Sequence, residues 1–359
     1  MKIVFLSNYF SHHQKPLCDA LAQITEFTFI ATEPMPQERK ALGWDTAEPD
    51  YVRRDTMMLE RADVVIVGSA PGKLVRQCAR RGQLLFRYSE RPLRHGLEPL
   101  KYLPRLLRWH YRNPPGKPIW LLSAGAYASG DYAKFGLFRG RALKWGYFPE
   151  PGAPGEKKPR SMLWVGRFLE LKRPDDAIAV AARLRAEGYD FRLDLVGSGP
   201  LEQALREQIR RENLQDQVHL LGTMPPQQVR QQMAEAELFL FTSDRQEGWG
   251  AVLSEAMSCG CAVVASRDAG ATPYLVRHGE NGLVYSAGNR EELYRQVKRL
   301  LDRPEATRRI GQLAYETINT LWNGEVAARR LVALAEQLLE GKTPVLWPNG
   351  PCSAAGETI

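Results

Sequence analysis

Two glutamates, Glu247 and Glu255, bracket the stretch E-G-W-G-A-V-L-S-E. The stretch follows an apolar run, L-F-L-F-T-S (238–243), and opens a helical pattern at 249–258. Gly248 and Gly250 let backbone amides approach a ligand at a helix N-terminus, where the peptide dipoles favour an anion. If both carboxylates were helical, eight residues of rise would part them by about 12 Å. An acid/base pair acting on one glycosidic bond needs only about 5–9.5 Å. The two therefore suit the ends of one long ligand. The plain alternative is a helix-terminal acid and a surface glutamate.

Other chemistry-bearing residues gather at the ends of further apolar runs. Arg167 and Lys172 follow M-L-W-V-G-R (162–167). A fixed cation pair there would stabilise growing negative charge without a metal. The alternative is a pair of solvated cations, a description that fits Arg173 better. Gly197 and Gly199, after F-R-L-D-L-V-G (191–197), permit a tight turn and close backbone approach. His12, His13 and Lys15 follow the first apolar run and offer donors to an anion or an acceptor, against a capping or surface role. Paired histidines without further ligands at suitable spacing make a poor metal site. Glu90, in Ser89-Glu90-Arg91, either orients or deprotonates a hydroxyl or pairs with Arg87, Arg91 or Arg94. Asp131, in S-A-G-A-Y-A-S-G-D-Y (123–132), is a candidate of the same kind.

The elements that must position these residues are legible as apolar runs without in/out alternation, as in strands buried on both faces of a parallel sheet. In the first half they are 2–7, 27–31, 63–68, 84–89 and 118–123; in the second, 162–167, 191–197, 218–222, 238–243 and 261–266. Helical patterns lie between them at 70–81, 97–112, 173–186, 200–212, 225–235 and 249–258. P-E-P-G-A-P-G-E-K-K-P-R (149–160) reads as an interdomain linker. The fold class is α/β: two Rossmann-like doubly wound domains facing a cleft at the carboxyl ends of their strands. The expected boundaries are 1–155, joined by about 325–359 crossing back, and 156–324. The tail 341–359 is rich in Pro, Gly and Ser and is expected to be mobile.

The chain has 359 residues, 44% of them hydrophobic and 25% charged, which excludes disorder or coiled coil as a whole-chain description. The net charge of +8 is uneven. Residues 1–155 carry 23 Lys and Arg against 14 Asp and Glu, and residues 73–112 hold eleven of the basic ones. L-E-P-L-K-Y-L-P-R-L-L-R-W-H-Y-R (97–112) sets Leu, Tyr and Trp beside Lys and Arg, as in a helix lying on an anionic membrane. Pro104 is expected to break or kink it. The alternative is a packed helix whose cationic stems lie over apolar surface. No nucleic-acid reader is visible. Five cysteines without a zinc spacing, and no apolar run of about 20 residues, suit a reducing, cytoplasmic setting at the inner membrane face.

The second half resembles the retaining GT-B glycosyltransferases of family 4, the group 1 glycosyl transferases. The E-x7-E stretch and its continuation A-M-S-C-G-C-A-V-V-A-S carry the likeness. So do V-G-R-F-L-E-L-K-R-P (165–174), V-G-S-G-P-L (196–201), L-L-G-T-M (220–224) and H-G-E-N-G-L-V (278–284). It covers about residues 160–340. The resemblance implies transfer of a sugar from a nucleotide-sugar to an acceptor hydroxyl, with retention of configuration. Arg167 and Lys172 would hold the diphosphate and Glu247 the sugar hydroxyls, with Gly166, Gly197 and Gly199 beneath. Gly248, Trp249, Gly250 and Ala251 would turn amides to sugar and phosphate. Glu255 would hold the ribose, with Leu221 and Met224 along the base. Trp249 replaces the family's frequent Phe, and Ala269–Tyr274 departs from its G-G-x-P-E loop. The first half lacks the family's Gly-rich first loop, so His12, His13, Lys15, Glu90 and Asp131 stand as acceptor-side candidates. No metal or organic cofactor is implied; UDP or GDP is the expected nucleotide, and a lipid-linked or cell-surface saccharide intermediate the expected acceptor.

Other functions on such a scaffold are a nicotinamide oxidoreductase, an epimerase or phosphorylase, or a non-catalytic nucleotide binder. The first needs G-x-G-x-x-G after a first strand, which neither half has.

Overall fold

The computed structural model describes residues 1–41 and 43–356. The chain divides into two compact units, one of Met1–Phe148 together with Trp322 onward, the other of Pro149–Leu321.

Unit 1 begins β1 (Lys2–Ser7), α1 (Lys15–Ile24), β2 (Glu26–Ala31), α2 (Gln37–Ala41), β3 (Val52–Arg53), β4 (Val64–Val67) and α3 (Gly72–Arg80). It continues β5 (Leu84–Ser89), α4 (Tyr102–Arg112), β6 (Ile119–Ala124), α5 (Ala128–Ala133) and β7 (Ala142–Trp145). The strands form one parallel sheet in the order β3-β2-β1-β4-β5-β6-β7. Strand order reverses between β1 and β4, the place where such sheets open a crevice for ligands. β1 is apolar from Ile3 to Leu6, as a strand covered on both faces requires; Ile3, Phe5 and Leu6 are fully buried.

Unit 2 carries β8 (Lys158–Val165), α6 (Pro174–Ala186), β9 (Arg192–Val196), α7 (Glu202–Arg211), β10 (Val218–Gly222), α8 (Pro226–Glu235) and β11 (Ala236–Phe241). α9 (Ala251–Ser258), β12 (Ala262–Ser266), α10 (Thr272–Leu275), β13 (Leu283–Tyr285), α11 (Arg290–Leu301) and α12 (Pro304–Glu316) complete it. Its sheet is also wholly parallel, ordered β10-β9-β8-β11-β12-β13. The two doubly wound α/β halves are thus present. A last helix, α13 (Gly324–Leu339), packs on α1 in unit 1. Gly324 is tight there: a Cβ would fall 2.7 Å from the Pro16 carbonyl oxygen.

The structure corrects two expectations, on Pro104 and on the tail, and adds detail to a third, the linker. Pro104 does not break α4, because it lies in the first turn, where its missing N–H has no intrahelical acceptor to lose. The stretch 149–160 lies where the chain passes from unit 1 into unit 2, as a linker should, and it is bound to unit 2. The Gly155 N–H donates to the Ala234 carbonyl (3.1 Å), and the Lys157 ammonium donates to those of Met233 (3.0 Å) and Cys259 (2.8 Å). The tail is held as well, as far as it is described; its last three residues lie outside the described chain. Lys144 and Cys352–Ser353 exchange backbone hydrogen bonds at 2.7 and 3.0 Å, and the Ala355 N–H reaches the Ala142 carbonyl (2.9 Å). The tail so covers the β7 edge of the sheet with an antiparallel bridge.

Candidate functional site

In unit 2 the candidate residues collect at the carboxyl ends of β8, β9, β10 and β11. After β8 the chain runs through Gly166 and exposed Arg167 into a single 3-10 turn, Glu170–Lys172. The Phe168 N–H donates to the Ser198 carbonyl (2.8 Å), and the Gly166 N–H to that of Val196 (3.0 Å), so the β8 and β9 loops interlock. This close approach explains Gly197. Its φ is +144°, and a Cβ would fall 1.9 Å from the Gly166 carbonyl oxygen. A Gly197→Ala protein should therefore lose about 3 kcal/mol or more of stability and any ligand held by this loop. Melting curves with and without nucleotide check this, and an unchanged melting point counts against the stated packing. Leu221 and Met224, half-buried, follow at the end of β10.

Lys172 and Glu247 meet directly: the ammonium donates to a carboxylate oxygen, which also accepts from Ser243 Oγ (3.1 Å). Lys172 is fixed from behind by two residues that the sequence did not single out. Trp164 Nε1 donates to Thr242 Oγ1 (2.8 Å), and Thr242 Oγ1 donates to the Lys172 carbonyl (2.6 Å). Arg167 has no carboxylate partner among the described residues. Arg173 is no solvated cation. It adopts a left-handed backbone (φ +51°) and, with Arg290, neutralises the fully buried Asp176 at 2.6 Å each. It pins the turn that carries Lys172.

Glu247 lies in the loop before α9, so the fully helical path to Glu255 does not describe the pair. Gly248, Trp249 and Gly250 are buried, Trp249 completely. Gly250 is the α9 N-cap with φ +94°; a Cβ would fall 2.3 Å from the Phe241 ring. No side chain caps α9, and its first turn, from Ala251, holds no acid. That helix end is suited to an anion. The Ala269–Tyr274 loop braces the motif: the Gly270 and Ala271 N–H groups donate to the carbonyls of Glu247 (3.2 Å) and Trp249 (3.0 Å). Glu255 lies one turn into α9. Burial pushes its carboxyl above the ordinary value, with Arg230 opposing.

In unit 1 the carboxyl ends of β1, β5 and the segment after β7 bring His13, Glu90 and Tyr147 together. The Tyr147 hydroxyl donates to Glu90 Oε1 (3.0 Å), and the Tyr147 ring lies 5.8 Å from both His13 and Tyr88. Burial, then Glu90, holds the Tyr147 hydroxyl well above its usual pKa. The two tyrosines carried no sequence signal, since buried aromatics are ordinary core. The His12 and His13 rings lie against each other, tilted, with centroids 3.8 Å apart. Burial, helped by His12, lowers the His13 pKa to about 3. The folded value is below the unfolded 6.5, so the unfolded chain takes up the proton first as pH falls. His13 should therefore cost stability below pH 6.5, and His13→Gln should flatten the fall of melting point between pH 6.5 and 5. An unchanged pH slope would contradict this.

Two acceptor-side candidates are occupied within the fold. Lys15 pairs with Asp19 (2.5 Å), which also accepts from the Tyr51 hydroxyl (2.7 Å). Asp131 is buried, bonded by Arg91 at 3.1 and 3.2 Å and by the Leu93 N–H at 3.0 Å. It anchors the loop after β5.

Comparison with known proteins bears on this arrangement. Residues 150–317 match the family model of the glycosyl transferases group 1. The amylovoran biosynthesis glycosyltransferase AmsK of Erwinia amylovora is 30% identical over 186 residues, 50% of this chain and 46% of that protein. The putative colanic acid biosynthesis glycosyltransferase WcaL of Escherichia coli K12 is 29% identical over 187 residues, again 50% and 46%. The chain thus spans less than half the length of these relatives. Among solved structures, Anabaena HepE in complex with UDP and glucose superposes with TM-score 0.66 at 17% identity over 95% of this chain and 100% of that one. Sucrose-phosphate synthase from Thermosynechococcus elongatus gives 0.66 at 16% identity, with the same coverage. Nearly all of unit 2 is therefore the part that the group 1 glycosyl transferase model describes, and the chain's two Rossmann-like units have the GT-B fold.

Proposed function

We propose that the protein is a retaining glycosyltransferase. Unit 2 binds a nucleotide-sugar and unit 1 binds the acceptor hydroxyl, on a saccharide or lipid-linked intermediate of polysaccharide assembly. The observation that carries this reading is the Lys172–Glu247 contact in the loop that leads to the uncapped end of α9, inside the segment that matches the family. Arg167 and Lys172 hold the diphosphate and stabilise it as it leaves, so no metal is needed. Glu247 holds the sugar hydroxyls and Glu255 the ribose. HepE, of the same fold, was crystallised with UDP and glucose, and the amylovoran and colanic acid names of the relatives point to polysaccharide assembly. The acceptor attacks from the face the diphosphate leaves, and the diphosphate helps take its proton. A thermal-shift screen against UDP, GDP, ADP, CMP and their sugar conjugates, with NAD as control, tests the reading. A nucleoside diphosphate and its sugar conjugate should raise the melting point. A response to NAD alone would favour an oxidoreductase.

The same reading places the enzyme at an anionic membrane surface through α4. No helix among the described residues is long and apolar enough to cross a membrane. Leu100, Leu103, Leu107 and Tyr111 form an exposed stripe, Leu100 at 94% and Leu107 at 62%, with Lys101 and Arg108 exposed beside it. An apolar stripe flanked by cations is the composition of an interfacial helix. Replacing Leu103 and Leu107 by Ser and Arg108 by Glu should abolish sedimentation with phosphatidylglycerol vesicles. Undiminished sedimentation would overturn the assignment.

A further inference from the structure

Unit 1 contains a cation for which the proposed transfer has no use. Arg87, in β5, is 6% exposed, yet among the described residues no carboxylate pairs with it. One terminal nitrogen donates to the Gly68 carbonyl (3.1 Å), the guanidinium also bonds the Tyr132 hydroxyl, and its Nε is without a partner. Burying a charge among neutral groups is costly, and such charges are ordinarily paired or ligated.

The surroundings point to the missing partner. Gly68 opens the short loop that leads into α3. That nine-residue helix starts at Gly72 behind Pro71, with no side-chain cap and no acid in its first turn. Arg112, from the end of α4, lies over this helix start. A Cβ on Gly72 would stand 3.4 Å from Arg112 Cγ and 3.7 Å from its Nε, which sets the Arg112 side chain at contact distance from the helix start. Arg112 has no carboxylate partner among the described residues either; its ring contact is with Trp109. Burial, then repulsion by Arg108 and Arg87, lowers its pKa, so the two guanidiniums feel each other. The acids nearest in sequence are engaged: Asp131 by Arg91, Glu98 by Lys101, and Glu90 by the Tyr147 hydroxyl.

We propose that Arg87, Arg112 and the N-terminus of α3 form a phosphate subsite that holds the phosphate of a phosphorylated acceptor. Two guanidiniums and a helix end supply charge and several N–H donors to one tetrahedral anion. The subsite is defined by its own residues; only the naming of its ligand as the acceptor rests on the proposed transfer.

The test is a thermal-shift titration of the full chain with inorganic phosphate and with methyl phosphate, at ionic strength matched with chloride. Both probes should stabilise the wild type. Arg112→Gln and Arg87→Met should each weaken both by at least tenfold. Arg87→Met should melt no lower than the wild type without phosphate, because it removes an uncompensated charge. Arg112→Gln, at a half-exposed site, keeps the test valid if Arg87→Met does not fold. An Arg167→Ala/Lys172→Ala protein should keep the phosphate response, and the two unit 1 variants should keep the response to a nucleoside diphosphate. Equal phosphate binding in wild type and both unit 1 variants would overturn the subsite. Loss of the nucleotide response in those variants would make it part of the donor site, and stabilisation by the free ion but not by the ester would make it an effector site; either result would overturn the acceptor assignment. Absence of a nucleotide response in the wild type would instead refute the proposed transfer and leave the subsite standing.

Discussion

Replacing Glu247 by Ala should abolish sugar transfer while the protein stays folded. The carboxylate is the point where Lys172 and Ser243 converge, and it offers an acceptor to a sugar hydroxyl. The rate should fall by about 10²–10³ or more, which corresponds to roughly 3–4 kcal/mol of lost transition-state stabilisation. Stability should change by no more than about 1–2 kcal/mol. The loop is held by its backbone, through the Glu247 N–H to Asp244 (3.1 Å) and the Gly270 N–H to the Glu247 carbonyl, and neither bond needs the side chain. Assay of product formation together with a melting curve separates the two effects. Full activity in the variant would remove Glu247 from the site.

Replacing Lys172 by Ala should slow transfer by about 10²–10³, and Arg167→Ala by a similar factor, because in the proposed transfer each removes a cation from the leaving diphosphate. Lys172 is the more rigid of the two: Thr242 and Trp164 hold its backbone, and the Arg173–Asp176–Arg290 cluster holds the next residue. Its charge is answered by Glu247. A bound diphosphate would share it, leaving Glu247 freer to accept from the sugar. Lys172→Arg should recover only part of the rate, since a planar fork cannot reproduce a point charge against Glu247. Chelators should leave the wild-type rate unchanged, whereas strict dependence on Mg²⁺ would mean that a metal does what these two cations are assigned to do.

The strands were legible because burial on both faces of a parallel sheet demands unbroken apolar runs. β1, β5 and β10 begin and end where those runs do. β7 and β13 were not legible. A-L-K-W is too mixed and L-V-Y too short to read as a strand, and each is a strand because it closes a sheet edge. The motif residues of unit 2 were visible in order and spacing. Their supports were not, because Trp164, Thr242 and Asp176 act through hydrogen bonds that only the fold brings about. In unit 1 the sequence offered charges without partners. Whether Asp131 is a free acid or an anchor depends on Arg91, forty residues earlier in the chain, and no local pattern encodes that pairing. The burial of Arg87 is likewise a property of its strand position.

In the proposed transfer, Arg167 and Lys172 of unit 2 bind the diphosphate of a nucleotide-sugar. Calorimetric titration of the screened nucleoside diphosphate into wild type and into the Arg167→Ala/Lys172→Ala double variant tests it most directly. The wild type should bind it, and the variant should bind at least a hundredfold more weakly. Equal affinity in the two proteins, or no nucleotide binding by a folded wild type, would contradict it.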